Sequence, residues 1–149
     1  MLRTLALLIA LLGTAHTAHA QRAAGSLGLG GQFGEPTGVT LQFYEPNGVT
    51  FDFLAAWDLD DFFYINGHGL FYRPVGTTQP FFLVYGPGAF VGFLDRGDDD
   101  DTVAGLSGTV GLAYAFERAE VYVRLTPRLS VIPDTDGDVG GGLGFRFYF

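Results

Sequence analysis

Residue types that could carry out acyl-transfer chemistry recur on the polar face of several alternating segments of the chain. They are Asp52, His68, Ser107, Thr109 and Ser130. A serine activated by a histidine, itself oriented by an aspartate, would suit a hydrolase or an acyltransferase acting on membrane lipid. No spacing in the sequence selects that arrangement, and a histidine in the middle of a strand is more often a hydrogen-bonded structural residue. We therefore predict no catalytic residues and keep a lipid-modifying enzyme as an alternative.

An acidic segment near the end of the chain could bind a divalent cation. Residues 134–138 read D-T-D-G-D, the alternating carboxylates that open a calcium-binding loop. The sixth position of this loop is valine and the twelfth is phenylalanine, so the segment is not an EF-hand. We favour a solvated acidic rim. The alternative is a weak Ca²⁺ site at Asp134, Asp136 and Asp138, helped by the acids at 98–101 if the two loops converge, and no other cofactor is predicted.

Three arginines, Arg124, Arg128 and Arg146, occupy positions that alternate with the apolar residues in the last two segments. A guanidinium in a narrow interior needs carboxylate or carbonyl partners, and Asp52 is the obvious inward acid. The predicted polar network of the interior comprises Asp52, Tyr64, His68, Arg124, Arg128 and Arg146. An anion-selective constriction, and hence a narrow channel, is the alternative. An eight-stranded interior is only wide enough for side chains to fill, which favours a plug, although many inward glycines leave room for a small cavity.

The elements that would position these residues are strands. Period-2 alternation between turn signals predicts eight of them. They cover residues 24–33, 38–44, 49–57, 62–72, 81–93, 102–116, 121–131 and 138–149. Eight is the smallest common strand number for a closed membrane barrel, and most of these lengths suit a tilted crossing. Pro87 and Pro127 each remove a ladder donor, so we predict a bulge at both positions.

The two faces of the predicted strands differ in polarity. Alternate residues are apolar, as with Phe51, Phe53 and Trp57 in the third strand, while the residues between them are polar. Aromatic residues also gather near strand ends, as in the girdles of membrane barrels. An apolar outside around a polar inside is the inverse of a soluble barrel. We predict an all-β, eight-stranded antiparallel up-and-down transmembrane barrel with short loops, with a soluble sandwich as the alternative.

Composition and the first residues bear on location and partners. Residues 1–20 combine a positive start, a short apolar core and an A-H-A site, which predicts a cleaved secretory signal followed by a barrel domain over 21–149. The chain has 8 basic and 16 acidic residues, which disfavours nucleic acid as a partner. It has no cysteine, so we expect no disulfide or thiolate metal site. We predict export through the general secretory pathway and a monomer surrounded by outer-membrane lipid.

The aromatic end of the sequence carries a resemblance. Phe145, Phe147 and Phe149 resemble the C-terminal signature that the barrel assembly machinery of Gram-negative bacteria reads. The whole pattern resembles small outer-membrane proteins of the OmpA-transmembrane and OmpX-like type. More narrowly, residues 34–38 (G-E-P-T-G) and 144–149 (G-F-R-F-Y-F) resemble a group of bacterial barrel proteins with a G-x-P-T-G turn and a G-x-R-x-Y-F end. The resemblance implies fold and an outer-membrane location, and it supplies no functional residues. Our own prediction is a structural or surface-interaction role.

Overall fold

The computed structural model describes residues 22–58, 62–77, 80–95, 97 and 100–149. The predicted signal peptide and its cleavage point lie outside the described residues, as do the loop acids Asp60, Asp61, Asp98 and Asp99. In the part of the chain that is described, no helix is long and apolar enough to cross a membrane.

Eight antiparallel strands form a closed barrel. The strands are β1 (Leu27–Glu35), β2 (Gly38–Phe43), β3 (Thr50–Asp58), β4 (Phe62–Pro74), β5 (Phe81–Asp95), β6 (Asp100–Phe116), β7 (Ala119–Ile132) and β8 (Asp136–Tyr148). Each strand pairs with its neighbour in sequence, and β8 pairs with β1 to close the cylinder. The predicted all-β, eight-stranded antiparallel fold is confirmed, and the predicted strand bounds agree to within a few residues.

The connections lie at two ends of the barrel. We call the end that carries residues 22–26, 44–49, 75–80 and 117–118 the terminal end, because both ends of the described chain are there. The opposite end, with the connections 36–37, 59–61, 96–99 and 133–135, is the loop end. All connections are short, as predicted.

The β6–β7 connection is tighter than the sequence suggested. Phe116 pairs with Ala119, so only Glu117 and Arg118 form the turn. Glu117 has a φ of 48°, the left-handed conformation that two-residue hairpin turns require. The predicted strands left residues 117–120 as the turn, and this prediction was wrong at the last two of them, because β7 starts at Ala119 and directs Glu120 into the barrel.

The outer surface of the barrel is apolar and the interior is polar. Along β7, outward Val121, Val123 and Leu125 are at least one-third exposed, while the residues between them are buried. Phe33 and Trp57 are also exposed, at 76% and 58% of their surface. The outer wall of the barrel is therefore aliphatic and aromatic, and no other part of the described chain covers it.

The bulge predicted at Pro87 is wrong. Pro87 pairs with Gly108 of β6 without a shift in register. On its other side, the pairs His68–Gly88 and Phe71–Tyr85 keep one register, and the ladder is simply interrupted between them. A proline cannot donate a ladder hydrogen bond, but its strand stays extended and remains paired on the other side.

The bulge predicted at Pro127 is wrong for the same reason. Pro127 pairs with Val139 of β8 in an unbroken register. Between β6 and β7 the ladder is interrupted beside Pro127, and the register shift of that pair of strands occurs instead at Ala104 and Gly105, nearer the loop end. The two interruptions thus lie on either side of the β5–β6 hairpin.

At the seam where the barrel closes, β1 and β8 approach each other closely. A Cβ atom on Gly30 of β1 would overlap the carbonyl oxygen of Phe145 in β8, whereas one on Gly31 would lie 3.6 Å from the nearest atom, the carbonyl oxygen of Gly38. Glycine is therefore required at position 30 and is dispensable at position 31.

The lumen as the candidate functional site

The interior of the barrel holds an unusual number of buried polar side chains. Strand alternation directs them inward, and a barrel of eight strands leaves space for side chains alone. They are Gln32, Thr40, Gln42, Thr50, Asp52, Asn66, His68, Thr109, Glu120, Arg124, Thr126 and Arg146. Such groups are stable inside only when they are hydrogen-bonded or paired.

Five charged side chains form a continuous series that we call the ion chain: Arg22, Glu120, Arg146, Asp52 and Arg124. The guanidinium of Arg22 contacts Glu120, whose other oxygen accepts a 2.9 Å hydrogen bond from Nη1 of Arg146. Nη2 of Arg146 donates to Oδ1 of Asp52, and Oδ2 of Asp52 accepts a 2.6 Å bond from Nη1 of Arg124. No side chain of the series is more than 6% exposed. Positive and negative charges therefore alternate from the terminal end to the middle of the lumen.

Neutral side chains complete the hydrogen bonding around the ion chain. Gln42 donates to the hydroxyl of Tyr72 at 2.9 Å and accepts from the hydroxyl of Tyr148 at 2.6 Å. Gln32 accepts a 2.7 Å bond from Nε of Arg124. Among the described residues, Nδ1 of His68 is the one fully buried side-chain nitrogen or oxygen without a hydrogen-bond partner, and such satisfaction is the condition for a buried ionic network to be tolerated.

Aromatic rings surround Arg22 at the terminal end. The guanidinium carbon lies 3.9 Å from the ring centre of Tyr44, 5.0 Å from Tyr72, 5.1 Å from Tyr148 and 5.4 Å from Phe82. These distances suit cation–π attraction. Burial by itself would lower the pKa of the Arg22 guanidinium, but the charge of Glu120 raises that pKa above its usual value. We call these four rings and Glu120 the Arg22 cage.

Ser107, His68 and Asp52 are not arranged as a catalytic triad. The hydroxyl of Ser107 donates to Oδ1 of Asn66 at 2.9 Å and lies 3.2 Å from Nε2 of His68. Nδ1 of His68 is buried and has no hydrogen-bond partner. Asp52 is opposite His68 in the β3–β4 register, but its oxygens are occupied by arginines. The histidine thus lacks the orienting carboxylate that a triad needs.

A small void lies beside the ion chain. It measures about 10 Å³ and is bordered by Glu120, Arg124 and Arg146 of the ion chain and by Val84, Thr109 and Gly111 of β5 and β6. That volume holds about one water molecule. The inward glycines therefore leave a space here that is far smaller than a lipid or a solute.

Two of the residues predicted for the lumen lie at the loop end, away from the ion chain. Arg128 donates from Nε to Asp138 at 2.9 Å, and its guanidinium lies 5.7 Å from the ring centre of Tyr64. Tyr64 also accepts a 3.0 Å bond from Asn66. The structure thus brings Asp52, Arg124 and Arg146 together and places Arg128 apart from them. Tyr64 is connected through Asn66 to Ser107, which lies beside His68.

The acids predicted for a calcium site lie at the loop end and are exposed. Asp134 and Asp136 face solvent, and Asp138 is paired with Arg128. Among the described residues, no three histidine, aspartate or glutamate side chains converge. The calcium site at Asp134, Asp136 and Asp138 stays a prediction.

The aromatic residues at the end of the chain face outward in the seam. Phe145, Phe147 and Phe149 are 47%, 41% and 71% exposed. The backbone amide of Phe149 donates to the carbonyl of Leu27 at 2.9 Å, and the amide of Leu27 donates back at 3.3 Å. The last residue thus extends the pairing of β8 with β1 at the terminal end.

Two functional residues were missed by the sequence analysis. Glu120 was assigned to a turn, although it continues the inward parity of Tyr122 and Arg124 and could have been found from it. Arg22 precedes every predicted strand, and no local pattern indicates that its side chain enters the lumen.

Comparison with known proteins defines the fold and leaves the family open. No protein-family model matches the chain, and no curated protein matches it. Among solved structures, the barrel is similar to the crystal structure of Neisserial surface protein A (NspA), with a TM-score of 0.51 and 14% sequence identity over 83% of this chain and 94% of that one. The chain is an eight-stranded antiparallel barrel that shares its fold with this protein.

Proposed function

We propose that the chain is a small outer-membrane barrel with a structural or surface-interaction role and a lumen that does not conduct. The observation that carries the proposal is the inverted polarity of the barrel, an apolar wall around a hydrogen-bonded ionic interior. Exposed side chains such as Leu106, Leu125 and Val139 would be unstable against water over so large an area. Lipid is the environment that suits such a wall, and a closed barrel leaves no unpaired strand edge within it.

The ion chain supports a plug over a channel. An anion path needs guanidinium groups that are free to bind a passing ion. In the ion chain, Arg22, Arg124 and Arg146 are each bonded to a carboxylate. The Arg22 cage also fills the terminal end with aromatic rings, so the lumen offers neither charge nor width to a solute.

The proposed orientation places the terminal end in the periplasm and the loop end outside the cell. Connection length does not distinguish the two ends, since the loop end has connections of two to four residues and the terminal end of two to six, so the proposed orientation rests on the acids of the loop end. The loop end holds the exposed acids Asp134 and Asp136, which would be the part of this protein offered to a partner. NspA is named as a surface protein, and a comparable position would suit this chain.

The enzymatic alternative has less support. Ser107 is near His68, but its hydroxyl proton is donated to Asn66 and the histidine lacks a carboxylate. The proposed role is therefore non-enzymatic, with the lumen serving to hold the wall together.

Fractionation and conductance measurements test the proposal. The protein expressed with its own leader should appear in the outer membrane and run faster on a gel unheated than boiled, because a folded barrel resists detergent. Reconstituted in planar bilayers, it should give no stable conductance steps. Recovery as a soluble periplasmic protein would refute the membrane assignment, and steady unitary conductance would refute the plug.

A further inference from the structure

The guanidinium in the Arg22 cage belongs to a residue that is not part of any strand of the barrel. Arg22 precedes β1, and a short turn brings it back into the lumen. In that turn Ser26 donates to the carbonyl of Ala23, and Gly25 donates to the carbonyl of Tyr44 at 2.7 Å. The arginine is thus attached to the barrel by a few residues and is not itself part of a strand.

The cage, in contrast, is built by the wall. Tyr44 follows β2, and the other cage members lie on β4, β5, β7 and β8. Most of them have partners that do not involve Arg22: Glu120 accepts from Tyr72 at 3.2 Å, and the rings of Tyr44 and Tyr72 meet edge to face at 5.4 Å. The site is therefore held in place by contacts that would persist without its occupant.

The charges of the ion chain indicate that Arg22 is the surplus cation. The series contains three arginines and two carboxylates. Without Arg22, the remaining Arg146 and Arg124 balance Glu120 and Asp52, and every one of them keeps an opposite charge in contact. The oxygen of Glu120 that faces Arg22 would then be open to another cation.

We propose that the Arg22 cage is a guanidinium-binding site in which Arg22 is a tethered occupant, and that it accepts a free alkylguanidinium when Arg22 is removed. A planar guanidinium can face the aromatic rings while its N–H groups meet the carboxylate, and an ammonium cannot do both as well. The proposal goes beyond the structural role and holds whether or not the barrel lies in the outer membrane.

Chemical rescue tests the proposal. The mature Arg22→Ala barrel, refolded in detergent, should lose its folded gel mobility several degrees below the unchanged protein. Millimolar ethylguanidinium should restore the midpoint in a saturable manner. Ethylammonium at the same concentration should not, and the unchanged protein should not respond. Arg118→Ala is the matched control, because Arg118 lies at the same end in the β6–β7 turn and belongs to no part of the ion chain.

Calorimetry gives a second measurement that does not depend on stability. Ethylguanidinium should bind the Arg22→Ala barrel with a stoichiometry near one, and it should give only dilution heat with the Arg118→Ala barrel. Equal responses to ethylguanidinium and ethylammonium would overturn the proposal in favour of simple charge compensation. Absence of saturable binding in a folded Arg22→Ala barrel would overturn it altogether.

Discussion

Replacing Asp52 by alanine should be among the most damaging single changes in the lumen. The Asp52 carboxylate is fully buried and accepts hydrogen bonds from Arg124, Arg146 and Gln42. Its removal leaves Glu120 as the one carboxylate of the ion chain against three arginines. Arg124 would then keep the amide oxygen of Gln32 as a partner and lose its opposite charge.

The expected magnitude follows from the cost of isolating a buried charge. Breaking a buried ion pair by removing one partner destabilises a protein by about 3 to 5 kcal/mol. At about 1.4 kcal/mol per factor of ten, that is roughly a 10²- to 10⁴-fold change in the folding equilibrium. We expect the Asp52→Ala barrel to fall in this range.

Urea titration of the barrel in detergent micelles, followed by gel mobility without heating, measures the free energy of unfolding. Asp138→Ala is the matched control, since Asp138 also pairs with an arginine but is 57% exposed. An exposed pair contributes about 0.2 to 1 kcal/mol, so the control should lose no more than that. Similar losses for the two variants would refute the reasoning, because they would mean that water screens Asp52 as it screens Asp138.

Two further predictions concern the seam. Phe149→Ala keeps the main-chain bonds to Leu27, so we expect less assembled barrel in cells but a change under about 0.5 kcal/mol when the purified chain refolds in detergent. Gly30→Ala should destabilise the barrel by about 1 to 3 kcal/mol, because β1 must move away from β8, whereas Gly31→Ala should be nearly neutral. Quantitative blotting of outer membranes checks the first prediction, and urea titration checks the second.

Each of the two seam predictions has an outcome that would contradict it. Equal losses of Phe149→Ala in cells and in detergent would show that the side chain acts by packing and is not an assembly signal. A Gly30→Ala barrel as stable as the Gly31→Ala barrel would show that the two strands are farther apart at the seam than described.

Much of the wall could be predicted because alternation is a local property. In β3 and β8 each step of two residues repeats the same face, so the inward position of Asp52 and Arg146 followed from the sequence. The position of an inward side chain along the barrel axis was harder to predict from the sequence. Arg128 lies four residues beyond Arg124, about 13 Å along an extended strand, which puts it within reach of Asp138 and beyond reach of Asp52.

The remaining errors arose where tertiary structure overrides local signals. Glu120 belongs to the segment E-R-A-E, which resembles a polar turn, and a two-residue hairpin was needed to bring it inside. Pro87 and Pro127 suggested bulges because a missing donor was expected to shift the register, yet pairing on the other side of each strand holds it fixed. The position of the Arg22 side chain could not be predicted, because the cage around it is contributed by strands far apart in sequence.

The two proline interruptions have a consequence for how stiffness is distributed around the cylinder. β5 and β6 pair with each other continuously from Phe81–Tyr114 to Asp95–Asp100, but each borders an interrupted ladder on its outer side. Neither strand contributes a charge to the ion chain, whose strand members lie on β3, β7 and β8. The void of the lumen is bordered by this hairpin and by Glu120, Arg124 and Arg146 of the ion chain. We therefore expect the two gaps beside the β5–β6 hairpin to be the points where the wall yields first, and where a lipid tail or water would approach the interior.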